Sequence, residues 1–292
     1  MMEDKFGKKK VYYGSMKSGK SSSLAREIER FDNYRRKNKK DFDILIFKPV
    51  IDDRVLGDED SEASVSTRDG KKFEAIPIHE SQEILQHVED GKRQFIGVDE
   101  VMMLDSGIID VVKKLDKDPN KYIVLTGLDK SYRGDPFPFS DHKKDMYDLI
   151  NLFQPEERYK IYGWCDKCGR ENIGEYTQRY KNLSESEERE LSKYYDPLIV
   201  IGDEEYESRC AKCFEKPPGK HKWLFIATML LNKDGEGIKR KFLEKGSSEY
   251  GDISKSEFQA ILERMNQEML VSIDGDSIKP TKRLKERIRS NL

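Results

Sequence analysis

The stretch Gly14-Ser15-Met16-Lys17-Ser18-Gly19-Lys20-Ser21 satisfies the pattern G-x-x-x-x-G-K-[ST] at every fixed position. It constrains the fold more than any other segment, because such a loop is fed by a strand and opens a helix. Upstream, Lys10-Val11-Tyr12-Tyr13 is β-branched and aromatic; downstream, Leu24, Ala25 and Ile28 recur at helical spacing. Gly14 and Gly19 allow a tight turn that aims N–H groups inward, and the helix N-terminus adds partial positive charge for an anion. In this pattern Lys20 reaches the β- and γ-phosphates and the Ser21 hydroxyl binds Mg²⁺. A Gly/Ser/Lys-rich surface turn is the bland counterpart, and the flanking strand and helix argue against it. The loop implies phosphate binding without saying what becomes of the phosphate.

The rest of the first half completes a sheet. Apolar runs at Phe42–Phe47, Phe73–Ile78, Phe95–Val98 and Tyr122–Gly127 read as strands, and Ser81–Glu89 and Gly107–Leu115 read as helices. Strands alternating with helices predict an α/β fold, a parallel sheet with helices on both faces. Asp52, Asp53 and Arg54 follow the first of these runs, where such sheets gather ligand-binding groups, although alone they make an ordinary charged turn. Asp99 ends the third run, the usual partner of a phosphate loop around Mg²⁺, and Glu100 beside it can take a proton from an attacking hydroxyl. A helix cap is the structural alternative for that pair. The loop from Gly127 to Phe137 combines turn residues, aromatics and Arg133, which could neutralise phosphate charge.

Composition narrows the class. Among 292 residues, 38% are charged but the net charge is only −2, which excludes a globally basic nucleic-acid binder while leaving room for a local patch. No apolar run is long enough to span a membrane and the first residues lack a signal-peptide core, so the chain reads as cytoplasmic. The four cysteines form two C-x-x-C pairs, Cys165/Cys168 and Cys210/Cys213. Four thiolates so spaced suit one tetrahedral structural Zn²⁺; reduced free thiols or a redox pair are the alternatives. Between the pairs, Gly174–Tyr180 reads as a strand, Glu185–Tyr194 as a charged helix-like insert, and Asp196–Gly202 as a returning strand.

In order along the chain, Gly14–Ser21, Lys48-Pro49 with Asp52-Asp53-Arg54, Val98–Val101, Gly127–Asp129 with Arg133-Gly134, Thr177–Arg179 and Tyr206–Cys210, together with the paired knuckles, resemble the type II thymidine kinases. The resemblance spans about residues 8 to 216. It implies a phosphate-loop domain and a small zinc domain whose lasso loop closes over a nucleoside. It also implies transfer of the ATP γ-phosphate to the 5′-hydroxyl of thymidine, a homotetramer, and inhibition by the triphosphate end product. Carried over by residue, Gly14, Ser15, Met16, Lys17, Ser18, Gly19, Lys20 and Ser21 hold phosphates, and Ser21, Asp52 and Asp99 serve Mg²⁺. Arg54 stabilises the transferring phosphoryl group and Glu100 is the general base. Met16, Leu128, Tyr132, Phe137, Thr177 and Tyr206 surround the nucleoside. The chain departs from the family at Met102-Met103-Leu104, at Tyr132, at Ile201 in the lasso return, and in the insert from Ser184 to Asp196; deoxyuridine therefore stands beside thymidine as a substrate.

These readings divide the chain into a nucleoside kinase α/β domain at 1–160, a zinc-binding lasso domain at 161–216, and an extension at 217–292. The extension has no counterpart in the resemblance. His221–Leu231 is helical in pattern, Ser254–Glu257 forms a capping box before a second helical run, Leu270–Ile278 reads as a hairpin, and Lys282–Arg289 as a basic helix. That order looks like a winged-helix module. Interspersed acidic residues favour packing or oligomerisation over nucleic-acid contact through Lys279, Lys282, Arg283, Lys285 and Arg287. A nucleic-acid-coupled ATPase and a silent nucleotide sensor are the competing functions.

Overall fold

The computed structural model describes residues 8–39, 41–50, 64–66, 72–181, 189–200, 202, 204–231 and 237–291. Asp52, Arg54 and Ile201 lie outside the described residues. Contacts group the chain into two compact units, Met1–Gln178 with Glu207–Phe214, and Arg179–Tyr206 with Glu215–Leu292.

In the first unit, β1 (Lys9–Gly14) runs into the phosphate loop and α1 (Lys20–Asn38) leaves it. There follow β2 (Asp43–Pro49), the short β3 (Ser64–Ser66), β4 (Lys72–Glu74) and β5 (Ile76–Ile78), then β6 (Gln94–Val98), α2 (Ile108–Leu115), β7 (Lys121–Gly127), α3 (Met146–Ile150) and β8 (Arg158–Ile161). The main sheet has the order β5-β2-β6-β7-β1-β8 and every pairing in it is parallel. The expected α/β architecture is therefore present. Ser81–Gln86 is a 3-10 turn rather than an α-helix, and the expected strand at Phe73–Ile78 is split between β4 and β5, which join different sheets.

Every residue of β6 and β7 is buried, as continuous apolar strands in a doubly covered parallel sheet must be. On one face α1 lays Leu24, Ala25, Ile28 and Phe31 against Tyr12, Ile46, Phe95, Tyr122 and Val124. Buried within that contact, Glu27 accepts from Lys10 Nζ at 2.6 Å and from the Tyr12 hydroxyl at 2.9 Å. A charge so enclosed is tolerable only because it is paired, and the pairing fixes α1 in register on β1. Burial and the carboxylate together push the Tyr12 hydroxyl pKa upward.

β9 (Tyr176–Arg179) and β10 (Tyr206–Arg209) form a two-stranded ladder, and the boundary between the units falls inside it. The described part of the insert is not helical. Tyr180 bridges Leu191, and the Lys181 N–H donates to Glu190 O at 2.8 Å. Around Asp196 the chain turns, its N–H donating to Lys193 O at 3.0 Å, where a returning strand was expected.

The second unit continues with α4 (Lys220–Leu231), β11 (Ile238–Lys239), α5 (Arg240–Gly251), α6 (Lys255–Gln267), β12 (Val271–Asp274), β13 (Ser277–Pro280) and α7 (Lys282–Asn291). Its sheet has the order β11-β13-β12, with Asp274-Gly275-Asp276 at the hairpin turn. Helix, strand, two helices and hairpin is the winged-helix order. The capping box is formed: Ser254 Oγ accepts from the Glu257 N–H, and Glu257 Oε2 accepts from the Ser254 N–H at 3.2 Å.

Candidate functional site

The C-terminal ends of β1, β6 and β7 bring Gly14, Asp99 and Gly127 to one edge of the sheet, where open α/β sheets bind ligands. Gly14 passes so close to β8 that a Cβ there would lie 2.0 Å from Ile161 O. Gly19 takes φ +93° as the N-cap of α1, a left-handed conformation that turns the chain into the helix. Lys20 Nζ donates to Ser15 O at 2.6 Å. Its ammonium end is enclosed although the side chain as a whole is half-buried, and that burial lowers its pKa to about 8 against the opposing pull of Glu100, Asp99 and Asp129.

Ser21 Oγ donates to Asp99 Oδ1 at 3.0 Å, and the Thr126 hydroxyl, from the intervening strand β7, donates to the same oxygen. Hydroxyl and carboxylate are thus held side by side, an oxygen-rich donor set of the kind Mg²⁺ prefers. Glu100, directly after Asp99, adopts φ +51° and ψ +43°. A non-glycine residue in that region carries strain, and such strain clusters at functional sites. It turns the chain sharply from β6 into a 3-10 segment, Val101–Met103, with Glu100 at its N-cap, the position the structural alternative gives the pair.

A second group of residues reaches the loop from the knuckle region. The Met16 N–H donates to Thr177 Oγ1 at 3.0 Å; Ser15 Oγ donates to Gly174 O at 3.0 Å and lies 2.9 Å from Ser208 Oγ. Thr177 and Met16 are therefore neighbours through a direct bond. Leu128, Tyr132 and Phe137 are all buried in the segment after β7. That segment folds back on itself: the Phe137 N–H donates to Asp129 O, Ser131 N–H to Asp135 O, and Lys130 bridges Pro136. Tyr206 belongs to the second unit, where its hydroxyl donates to Val200 O at 2.9 Å.

Sequence reasoning did not single out Thr126. A lone hydroxyl in an otherwise apolar strand beside the Asp99 strand is the signal that could have found it. Asp129 carries no role of its own in the sequence, only a place in a loop and in the family motif Gly127–Asp129, yet it is almost fully buried, and only one of its oxygens has a partner, the Tyr147 hydroxyl at 3.3 Å.

Cys165, Cys168, Cys210 and Cys213 bring their sulfurs within 4.8 Å of one another. A tetrahedral Zn²⁺ with Zn–S of about 2.3 Å needs sulfurs about 3.8 Å apart, so the cluster fits zinc with modest contraction. Burial pushes the Cys165 thiol up, but N–H groups of Cys210, Cys168 and Lys167 outweigh it and bring the thiol down to about 6, favouring the thiolate. Four thiolate ligands would leave a bound zinc no open coordination position, which suits a structural role. Asp166 Oδ2 accepts from the Ser208 N–H at 2.6 Å and locks the two knuckles together. Asp166 N–H returns a bond to Ser208 O. The same Ser208 faces Ser15, so the metal region is linked directly to the phosphate loop.

A sequence model of the thymidine kinase family matches residues 7–214. Solved structures of Drosophila ORC bound to AT-rich DNA and Cdc6, and to GC-rich DNA and Cdc6, each align at 12% identity over 98% of this chain and 87% of theirs, with a TM-score of 0.23. At that TM-score the alignments carry no argument about this protein. No helix among the described residues is long and apolar enough to cross a membrane.

Proposed function

Because the chain belongs to the thymidine kinase family, we propose that it transfers the γ-phosphate of ATP to the 5′-hydroxyl of thymidine, and of deoxyuridine, giving the nucleoside 5′-monophosphate for salvage. The observation that carries this reading is the Met16–Thr177 bond: a residue of the phosphate loop is tied to a residue of the nucleoside-binding motif. Donor and acceptor subsites thereby share one rigid element, and positioning is most of what phosphoryl transfer requires.

In this reading the loop N–H groups and Lys20 hold the phosphates, and Glu100 takes the proton from the 5′-hydroxyl. Its short tether to Asp99 keeps proton acceptor and metal ligands in fixed relation. Ser21, Asp99 and Asp52 would hold magnesium, which would supply positive charge to offset that of the phosphates. Arg54 neutralises charge on the moving phosphoryl group. Leu128, Tyr132 and Phe137 enclose the base, and the family pattern assigns Tyr206 to nucleoside binding as well. We extend the same reading to a cytoplasmic homotetramer.

The test is a panel of pyrimidine and purine nucleosides supplied with ATP and Mg²⁺ to zinc-loaded protein, following ADP release. ADP release that requires thymidine or deoxyuridine supports the proposal. Release stimulated by DNA or RNA and indifferent to every nucleoside contradicts it.

A further inference from the structure

The family match ends at residue 214, yet Arg179–Tyr206, inside the matched span, shares a compact unit with the C-terminal extension rather than with the sheet. The reason is two adjacent aromatics in the insert. Tyr194 is 1% exposed and Tyr195 is 5% exposed, and both belong to the core formed by Trp223, Ile226, Leu243, Phe258 and Ile261. The Tyr194 ring meets the Trp223 ring edge-on at 5.8 Å, and its N–H donates to Pro218 O at 2.8 Å. The Tyr195 hydroxyl donates to Glu257 Oε1 at 3.1 Å, which also receives Lys222 Nζ. Gly219, at φ +88°, lies against the same ring: a Cβ there would stand 2.6 Å from Tyr195 Cε1.

The two roots of the segment are braced as well. Arg179, 2% exposed, donates from Nε to Ser192 Oγ at 2.9 Å and from a terminal nitrogen to Pro197 O, while the Ser192 N–H donates back to Arg179 O. At the other root, Tyr206 holds Val200. Arg179 follows Thr177 along one strand, and Tyr206 opens the strand that pairs with it. The segment is thus continuous in sequence with both motif residues, Thr177 two positions before one root and Tyr206 at the other.

We infer that the C-terminal module anchors the nucleoside-covering loop, with Tyr194 and Tyr195 as its positioning residues and nucleoside affinity as the quantity they set. This rests on the reading that Thr177 and Tyr206 flank the nucleoside. The physical basis is ordering entropy. A long loop that must be fixed before it grips a ligand weakens binding, whereas one already pinned at its middle has less freedom to lose. The phosphate loop and the cysteine cluster lie outside the unit that holds the two tyrosines.

The test uses the full chain with Tyr194→Ala, Tyr194→Phe, Tyr195→Phe and Gly219→Ala. Tyr194→Ala should raise the nucleoside KM about tenfold while the ATP KM stays within about twofold, the signature of lost acceptor binding. Tyr194→Phe keeps the ring and should restore the wild-type KM. Tyr195→Phe and Gly219→Ala should raise the nucleoside KM less. Hydrogen exchange at residues 189–200 supplies a readout independent of turnover: it should accelerate in Tyr194→Ala. Zinc content and ATP KM report folding. If Tyr194→Ala loses either, the milder Tyr195→Phe decides the outcome by the same two readouts. Unchanged nucleoside KM in a folded variant overturns the inference, as does unchanged exchange. Wild-type protein that phosphorylates no nucleoside instead overturns the kinase reading, and the exchange result then shows separately whether the anchor exists.

Discussion

The two compact units bury polar groups in very different ways. In the first, the buried polar and charged residues include Ser15, Ser18, Glu27, Gln94, Asp99, Lys121, Thr126, Asp129 and Thr177; in the second, among the described residues, they are Arg179, Ser192, Glu205, Ser247 and Glu268. Glu268 is matched at once by Arg287 at 2.5 Å. Burying a polar group is unfavourable unless a partner satisfies it, so a fold that buries many is organised for more than stability. Several in the first unit belong to the phosphate loop or bond to it: Ser15 and Ser18 lie in the loop, Thr177 accepts from Met16 and Asp99 accepts from Ser21. The extension is an aliphatic and aromatic core whose chemistry is spent on packing, including the packing of a segment borrowed from the family domain.

That contrast can be broken most severely at Glu100. Glu100→Gln removes the proton acceptor and should lower kcat by about 10²–10⁴-fold. ATP binding and zinc content should stay unchanged; retention of wild-type kcat would assign the proton to another group. Removing zinc by chelation at neutral pH should come next, unfolding the knuckles on either side of β9, which holds Thr177, and abolishing nucleoside binding. Circular dichroism and activity on zinc return measure it, and chelated protein with full activity would mean that the thiols bind nothing essential.

In the extension the expected effect lies on stability. Trp223→Ala removes the ring on which Tyr194 rests and should cost about 3–5 kcal/mol, read from denaturant unfolding of the full chain. Little loss would mean that the core relaxes around the cavity.

Two pH effects sharpen the comparison. Lys20 loses its proton near pH 8 in the free enzyme, so kcat/KM for ATP should fall as pH rises through about 8, and Lys20→Arg should flatten that limb. Glu257 in the extension responds in the opposite direction of pH. Burial opposes its ionisation, but Lys222, Ser254 and Tyr195 prevail and lower its pKa from 4.5 to about 2. A depressed carboxylate contributes stability that is complete above about pH 4.5 and is lost as pH falls toward 2. Glu257→Gln should therefore flatten the acid limb of the extension's unfolding and leave the alkaline limb of activity untouched.

Much of this was legible in the sequence because it depends on local pattern. The phosphate loop, the strand runs ending at Asp99 and Gly127, the C-x-x-C pairs and the Ser254 capping box are each written within a few residues. What the sequence did not show depends on partners far along the chain. Residues from Glu185 to Tyr194 have the composition of a charged helix, yet the described part is not helical, because Ser192 pairs with Arg179, Leu191 with Tyr180, and Tyr194 with Trp223. Thr126 looks like one more β-branched strand residue until the neighbouring strand sets Asp99 beside it. Glu100 offered no hint of its left-handed backbone.

The most direct test follows a single turnover. Wild-type protein in excess over ATP, with Mg²⁺ and thymidine, is quenched at intervals and its products are separated by mass. The account predicts one thymidine 5′-monophosphate for each ADP, with neither product forming at a comparable rate when nucleoside is omitted or Glu100 is replaced by Gln. Conversion of ATP to ADP and free phosphate with thymidine recovered unchanged would contradict it.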